Sequence, residues 1–232
     1  MKPARVVLAW LVHLYTSLGA VIAFAALICI EERLFAETFW LLAVAVIIDA
    51  TDGALARAAR VKEMIPWFDG ARLDDIVDYL TYVFIPVFFM YRAELFPAQD
   101  SWWIAPIPLL ASAYGFCQAQ AKTADHFFCG FPSYWNIFAF YLYILKTPLW
   151  INAFATLALS VMVFVPIRYV YPSRSPYLRT PTIVLGAVWG VMLALIIYQL
   201  PEPSIKLAIA SLAFPAYYTA LSFWLELRRS PD

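Results

Sequence analysis

Charge is what this sequence has least of. Only 14% of its 232 residues are charged and 64% are hydrophobic, whereas a soluble domain averages about 25% charged and about 45–50% apolar residues. Basic and acidic residues are equal in number at 16 each, so the chain lacks the basic surplus that nucleic-acid binding requires. A soluble fold and a nucleic-acid partner are therefore excluded, and we predict a polytopic membrane protein.

Cysteine and glycine are also scarce. The three cysteines, Cys29, Cys117 and Cys129, show neither paired nor zinc-like spacing, which favours buried structural thiols over disulfides or a zinc site. Among only seven glycines, Gly53 and Gly70 stand beside acidic residues in predicted helical segments. Glycine in a helix costs about 1 kcal/mol relative to alanine, so these two positions indicate a functional or packing requirement.

Hydrophobic segments follow one another along the whole chain. A membrane span needs roughly 20 mostly apolar residues, and the first segment is too long for the apolar region of a signal peptide. The fifth segment is short, between Pro132 and Pro148, which leaves six or seven spans as alternatives to eight. We predict an all-α membrane bundle that forms a single domain over 1–232, with additional C-terminal helices at about 149–226. The segments are about 6–30, 38–58, 72–91, 102–121, 132–146, 149–170, 180–200 and 205–226.

The distribution of basic residues predicts the orientation of these spans. With eight spans and the N-terminus inside, most of the 16 basic residues fall on the cytoplasmic side, as the positive-inside rule requires. Arg57 and Arg72 then flank a cytoplasmic connection between the second and third spans. We predict that both termini are cytoplasmic and that this connection lies at the cytoplasmic face.

Four aspartates lie near that connection. A carboxylate at the centre of a membrane helix costs roughly 2.5–3.5 kcal/mol, so four would cost on the order of 10 kcal/mol without compensation. Helical positions i, i+3, i+4 and i+7 share one face, and two such acidic stripes on neighbouring helices can face each other. The residues are Asp49-x-x-Asp52-Gly53-x-x-Ala56-Arg57, then Gly70-x-x-x-Asp74-x-x-x-Asp78.

The residues around the aspartates suggest what the acids bind. Facing carboxylates repel each other unless a cation lies between them, and Mg²⁺ and Mn²⁺ prefer oxygen ligands that they often share with a substrate phosphate. The small residues Gly53, Ala56 and Gly70 either admit a bulky ligand or allow close helix packing. Arg57 beside a metal is suited to clamp phosphate. The residues alone predict a divalent-metal site for a phosphorylated substrate.

This motif resembles the signature of the CDP-alcohol phosphotransferases, membrane enzymes that transfer a phospho-group from a CDP-linked donor to an alcohol and release CMP. Twelve residues, Ala58 through Asp69, separate Arg57 from Gly70, where the family usually has about eight or nine. This longer gap resembles the phosphatidylcholine synthase branch, which joins choline to CDP-diacylglycerol in the bacterial cytoplasmic (inner) membrane. In the first segment, His13-x-x-Thr16 stands where many members carry Pro-Asn-x-x-Thr.

The resemblance implies a role for each motif residue. Asp49, Asp52 and Asp74 would be metal ligands, and Asp78 would be both a ligand and the general base, with two ions of Mn²⁺ or Mg²⁺ expected. The remaining positions would bind CDP and phosphate, and they are Gly53, Ala56, Arg57, Gly70, Thr16 and Lys122.

The acceptor and the reaction class each have alternatives. A trimethylammonium group is recognised by aromatic faces, and we predict Tyr82 and Trp135 as choline contacts. Serine, inositol or glycerol phosphate are alternative acceptors, an aromatic prenyltransferase is an alternative enzyme, and a cation transporter is the non-enzymatic alternative. The expected partners are CDP-diacylglycerol, choline and membrane lipids, and a homodimer is left open.

Overall fold

The computed structural model describes residues 3–118, 127–170 and 178–227, which are mostly helical. A π-helical segment, Tyr79–Phe84, joins α4 to α5, and two short strands, β1 (Phe127–Cys129) and β2 (Arg168–Val170), pair antiparallel. The α-helices are α1 (Pro3–Glu31), α2 (Phe35–Ala58), α3 (Val61–Met64), α4 (Gly70–Asp78), α5 (Ile85–Arg92), α6 (Ser101–Ile104), α7 (Pro106–Cys117), α8 (Trp135–Leu145), α9 (Leu149–Met162), α10 (Arg179–Tyr198), α11 (Ile205–Ser211) and α12 (Ala213–Leu227).

The described helices support a membrane protein. Four helical stretches are long and apolar enough to cross a bilayer: Pro3–Glu31, Phe35–Ala58, Arg179–Tyr198 and Ile205–Leu227. The predicted span at 72–91 coincides with the continuous helical segment formed by α4, the π-helical segment and α5. The prediction of an all-helical fold with helices able to span a membrane is therefore confirmed, whereas the number of eight crossings and the cytoplasmic termini stay predictions.

The predicted spans at 102–121 and 149–170 are interrupted, and in each of them a proline lies near the interruption. The segment predicted at 102–121 consists of α6 and α7, with Pro106 at the start of α7. The segment predicted at 149–170 is wrong beyond Met162, because α9 ends there and the chain continues through Pro166 into β2. Proline has no backbone N–H and its ring clashes with the preceding turn, so it favours a helix start or a break.

The π-helical segment lies directly after Asp78. Pro86, near the start of α5, cannot donate a backbone hydrogen bond to the preceding turn, which explains a wider helical turn before it. Within the turn the Thr81 hydroxyl donates to the Val77 carbonyl oxygen at 3.1 Å. Single π turns of this kind are frequent at functional sites.

The α1–α2 loop and the end of α5 lie together, at the end of the bundle opposite the aspartates. Arg33 Nη2 lies 3.0 Å from Glu94 Oε1, and Arg92 Nη2 lies 3.1 Å from Glu31 Oε2. Exposed pairs of this kind contribute little stability, about 0–1 kcal/mol each. They do show that the turn after α1 and the turn after α5 meet, so that α2 and α4 both bring their aspartates to the other end.

Helix α1 is the element against which both acidic helices pack. Its buried face is built mainly from small or short residues, which allow close helix approach. A Cβ atom placed on Gly19 would collide with Cγ1 of Val77 in α4, so α4 approaches the α1 backbone at this point. The residues of this face are Ala9, Val12, His13, Thr16, Gly19, Ala23, Ala26 and Ile30.

Helix α3 accounts for the long gap between Arg57 and Gly70. The gap folds as one helical turn, Val61–Met64, rather than as an open loop. Val61 and Ile65 are buried against Ala9 and Val12 of α1. The additional residues thus form a small hydrophobic cluster that fixes the connection between the two acidic helices on α1.

Candidate metal and substrate site

Three of the predicted acids converge. Asp49 of α2 and Asp74 and Asp78 of α4 each offer a carboxylate oxygen, and these oxygens lie within 4.8 Å of one another. Oxygen ligands lie about 2.0–2.1 Å from Mg²⁺, so two ligands on opposite sides of the ion are about 4 Å apart. The three half-buried carboxylates therefore fit one divalent cation with only slight closure, and without a cation they repel each other.

Asp52 lies one turn along α2 from this group and has a different partner. It is only 7% exposed, and its Oδ2 accepts a hydrogen bond from the Thr16 hydroxyl of α1 at 2.8 Å. The structure thus places Thr16 and Asp52 together, although the sequence motif gave them separate roles. Metal binding by Asp52 and a CDP contact by Thr16 both stay predictions.

Tyr82 lies at the carboxylate group. Its hydroxyl donates a hydrogen bond of 2.6 Å to Asp49 Oδ2. Tyr82 comes from the π-helical segment, one turn beyond Asp78. The sequence placed this tyrosine near the site, but gave no sign of its bond to a predicted metal ligand.

The two motif glycines differ in their surroundings. Among the described residues, a Cβ on Gly53 would have only Arg57 Nη1 within 4 Å, at 3.4 Å, whereas a Cβ on Gly70 would lie 2.5 Å from Cε1 of His13. The His13 ring is buried and packs against Phe68, with 4.4 Å between the ring centroids. The space at Gly53 is open to a ligand, while the space at Gly70 is occupied by His13.

Comparison with known proteins finds relatives over almost the whole chain. The chain is 40% identical over 226 residues to phosphatidylcholine synthase of Legionella pneumophila, which covers 93% of this chain and 88% of that protein. It is 36% identical to the phosphatidylcholine synthase of Borreliella burgdorferi, over 98% of both chains. It is also 34% identical to that of Pseudomonas aeruginosa, over 98% of this chain and 96% of that protein.

The chain belongs to the phosphatidylcholine synthase family. Membership in this family agrees with the resemblance of the Asp49–Asp78 motif to the CDP-alcohol phosphotransferases. No model of a known protein family matches the chain.

In this member of the phosphatidylcholine synthase family, the two aromatic residues predicted to contact choline lie in different environments. Tyr82 is half-buried at the acids, whereas Trp135 is fully buried, its indole N–H donates to Ser112 Oγ at 2.8 Å, and its ring packs on Phe131. As placed here, Trp135 has no exposed face, so its position gives no support to a choline contact. The ring centroid of the neighbouring Tyr134 lies 6.3 Å from that of Tyr82.

Three further residues predicted to bind CDP and phosphate remain, two of which lie within the described residues of this phosphatidylcholine synthase family member. Arg57 lies in the last turn of α2 with an exposed side chain, and among the described residues it forms no ion pair. Ala56 packs on the cluster formed by α1 and α3, so its small size serves helix packing there. Lys122 lies outside the described residues.

We expect Thr16→Val to destabilise the protein, because it leaves the buried Asp52 carboxylate without its hydroxyl donor. A buried polar group without its partner costs about 1–3 kcal/mol, which should lower the melting temperature of the detergent-purified protein. Thr16→Ser keeps the hydroxyl and should restore most of the loss. If Thr16→Val and Thr16→Ser have the same melting temperature, the hydrogen bond between Thr16 and Asp52 makes no measurable contribution to stability.

Proposed function

We propose that the protein is a phosphatidylcholine synthase, which transfers the phosphatidyl group of CDP-diacylglycerol to the hydroxyl of choline and releases CMP. The observation that carries the proposal is the convergence of Asp49, Asp74 and Asp78 within 4.8 Å in a chain whose relatives bear that name. The open surface at Gly53 and the exposed Arg57 beside it suit a diphosphate.

The metal is part of this proposal. Asp49, Asp74 and Asp78 would hold one Mn²⁺ or Mg²⁺ ion, and Asp52 is the acid left for a second ion. When bound, such ions neutralise the diphosphate and the charge that develops on the departing phosphate. Three half-buried carboxylates this close support the assignment, because a cation offsets their mutual repulsion.

The chain's own residues would perform the remaining steps. Asp78 accepts the proton of the choline hydroxyl, a general-base role that requires choline to bind within hydrogen-bond reach of its carboxylate. The choline oxygen forms a bond to the β-phosphorus, and the bond from that phosphorus to the bridging oxygen breaks. CMP leaves with the electron pair, and Arg57 holds the phosphates during transfer.

We also propose how the chain is oriented in the membrane. The aspartates lie at the cytoplasmic face of a bacterial inner membrane, with both termini on that side and about eight crossings in all. The positive-inside distribution of basic residues supports this orientation. The two ion pairs between the α1–α2 turn and the end of α5 would then lie on the outer side.

The direct test measures CMP and lipid product from the purified protein. We expect CMP release with CDP-diacylglycerol, Mn²⁺ and choline, no release with serine, inositol or glycerol phosphate, and no release after chelation with EDTA. Product with another acceptor but not with choline would contradict the acceptor assignment alone. Absence of CMP with every acceptor would contradict the enzyme, and cation flux in proteoliposomes would then favour a transporter.

A further inference from the structure

The hydrogen bond from Tyr82 to Asp49 joins the π-helical segment to the acidic end of α2. At 2.6 Å it is short, as expected when a neutral hydroxyl donates to a charged carboxylate. The bond engages Asp49 Oδ2. A carboxylate oxygen of Asp49 also lies within 4.8 Å of carboxylate oxygens of Asp74 and Asp78.

We propose that Tyr82 is a positioning residue for the metal ligand Asp49, acting through its hydroxyl and not through contact with the substrate. A hydrogen bond to one oxygen of a ligating carboxylate fixes the rotation of the group and so selects the oxygen that meets the cation. Loss of such an outer partner typically lowers metal affinity by about 10–100-fold. This inference rests on the divalent-metal site of the proposed function.

The local helix geometry supplies a matched control. Tyr79 lies three residues earlier in the same π-helical segment, and its hydroxyl donates to the Leu109 carbonyl oxygen of α7 at 2.9 Å. Both tyrosine hydroxyls therefore donate a hydrogen bond, that of Tyr79 to a backbone carbonyl and that of Tyr82 to the carboxylate of Asp49. Tyr→Phe at either position removes one hydroxyl and keeps the ring in the core.

The experiment measures metal binding directly. Mn²⁺ is titrated into the detergent-purified full chain without substrate, and free Mn²⁺ is followed by electron paramagnetic resonance. We expect Tyr82→Phe to raise the Kd for Mn²⁺ by about 10–100-fold and Tyr79→Phe to leave it unchanged. At saturating Mn²⁺ the KM for choline should stay at the wild-type value in Tyr82→Phe, because the lost hydroxyl acts on Asp49 and not on choline.

A double-mutant cycle tests the same bond without relying on one variant. In an Asp49→Asn background the charged acceptor is absent, so adding Tyr82→Phe should change the Kd for Mn²⁺ much less than it does in the wild type. A wild-type Kd in Tyr82→Phe, an equal effect in both backgrounds, or a higher choline KM at an unchanged Kd would each overturn the positioning role. Failure of the wild type itself to bind Mn²⁺ would overturn the metal site of the proposed function as well.

Discussion

Asp78→Asn is expected to reduce CMP release by about 10²–10⁴-fold, the contribution typical of a general base. The amide of asparagine cannot accept the choline proton at neutral pH, and it replaces one of the three converging oxygen ligands with a weaker one. The measurement is CMP release at saturating choline and Mn²⁺, so that a loss of metal affinity does not by itself account for the result.

The matched control for Asp78→Asn is Asp75→Asn, which removes a carboxylate from the same helix but not from the group formed with Asp49 and Asp74. It should retain most of the activity. In EDTA the Asp78→Asn protein should melt no lower than the wild type, because one of three repelling charges has been removed. Near-wild-type turnover in Asp78→Asn would show that another group accepts the proton.

Gly53→Ala is expected to lower activity, whereas Gly70→Ala is expected to lower stability. At Gly53 the new methyl group has room in the ligand-free protein and improves helix propensity by about 1 kcal/mol, so the melting temperature should hold or rise. If the diphosphate uses that room, overpacking of about 1–3 kcal/mol should lower kcat/KM for CDP-diacylglycerol by about 5–150-fold. Unchanged kcat/KM would mean that the substrate does not approach Gly53.

At Gly70 the methyl group would instead collide with His13, 2.5 Å from its Cβ position. We expect a loss of stability of about 1–3 kcal/mol, seen as a lower melting temperature even without substrate. Combined with His13→Ala, the destabilisation should be less than the sum of the two single changes, because the clash is gone. Strict additivity would show that the two residues do not share this space.

The acidic site was predictable because its residues are repeated at helical spacing within a short stretch. Periodicity alone placed Asp49 on one helix face and Asp74 and Asp78 on another, and the short connection implied that the two faces meet. The helical membrane architecture was equally accessible, since the low charge content and long apolar segments leave few other options.

The features that the sequence did not reveal depend on tertiary packing. Gly70 was expected to make room for nucleotide, but the room is taken by His13, which lies 57 positions away along the chain (70 minus 13). Trp135 is predicted as a choline contact from its place at the start of the fifth hydrophobic segment, yet its side chain is buried and donates to Ser112. Which partner fills a space, and which ring stays exposed, is decided by contacts between distant segments.

The acidic site is assembled entirely from an early part of the chain. Asp49 and Tyr82 are only 33 residues apart, and at a synthesis rate of about 5–20 residues per second the second follows the first by roughly 2–7 s. Helix α1, on which both acidic helices pack, has been made before either of them. During biogenesis the carboxylates of α2 are therefore without the residues of α4 and the π-helical segment for only seconds. The acidic site, whose carboxylates are costly to place in a membrane, can form before the later helices are synthesised.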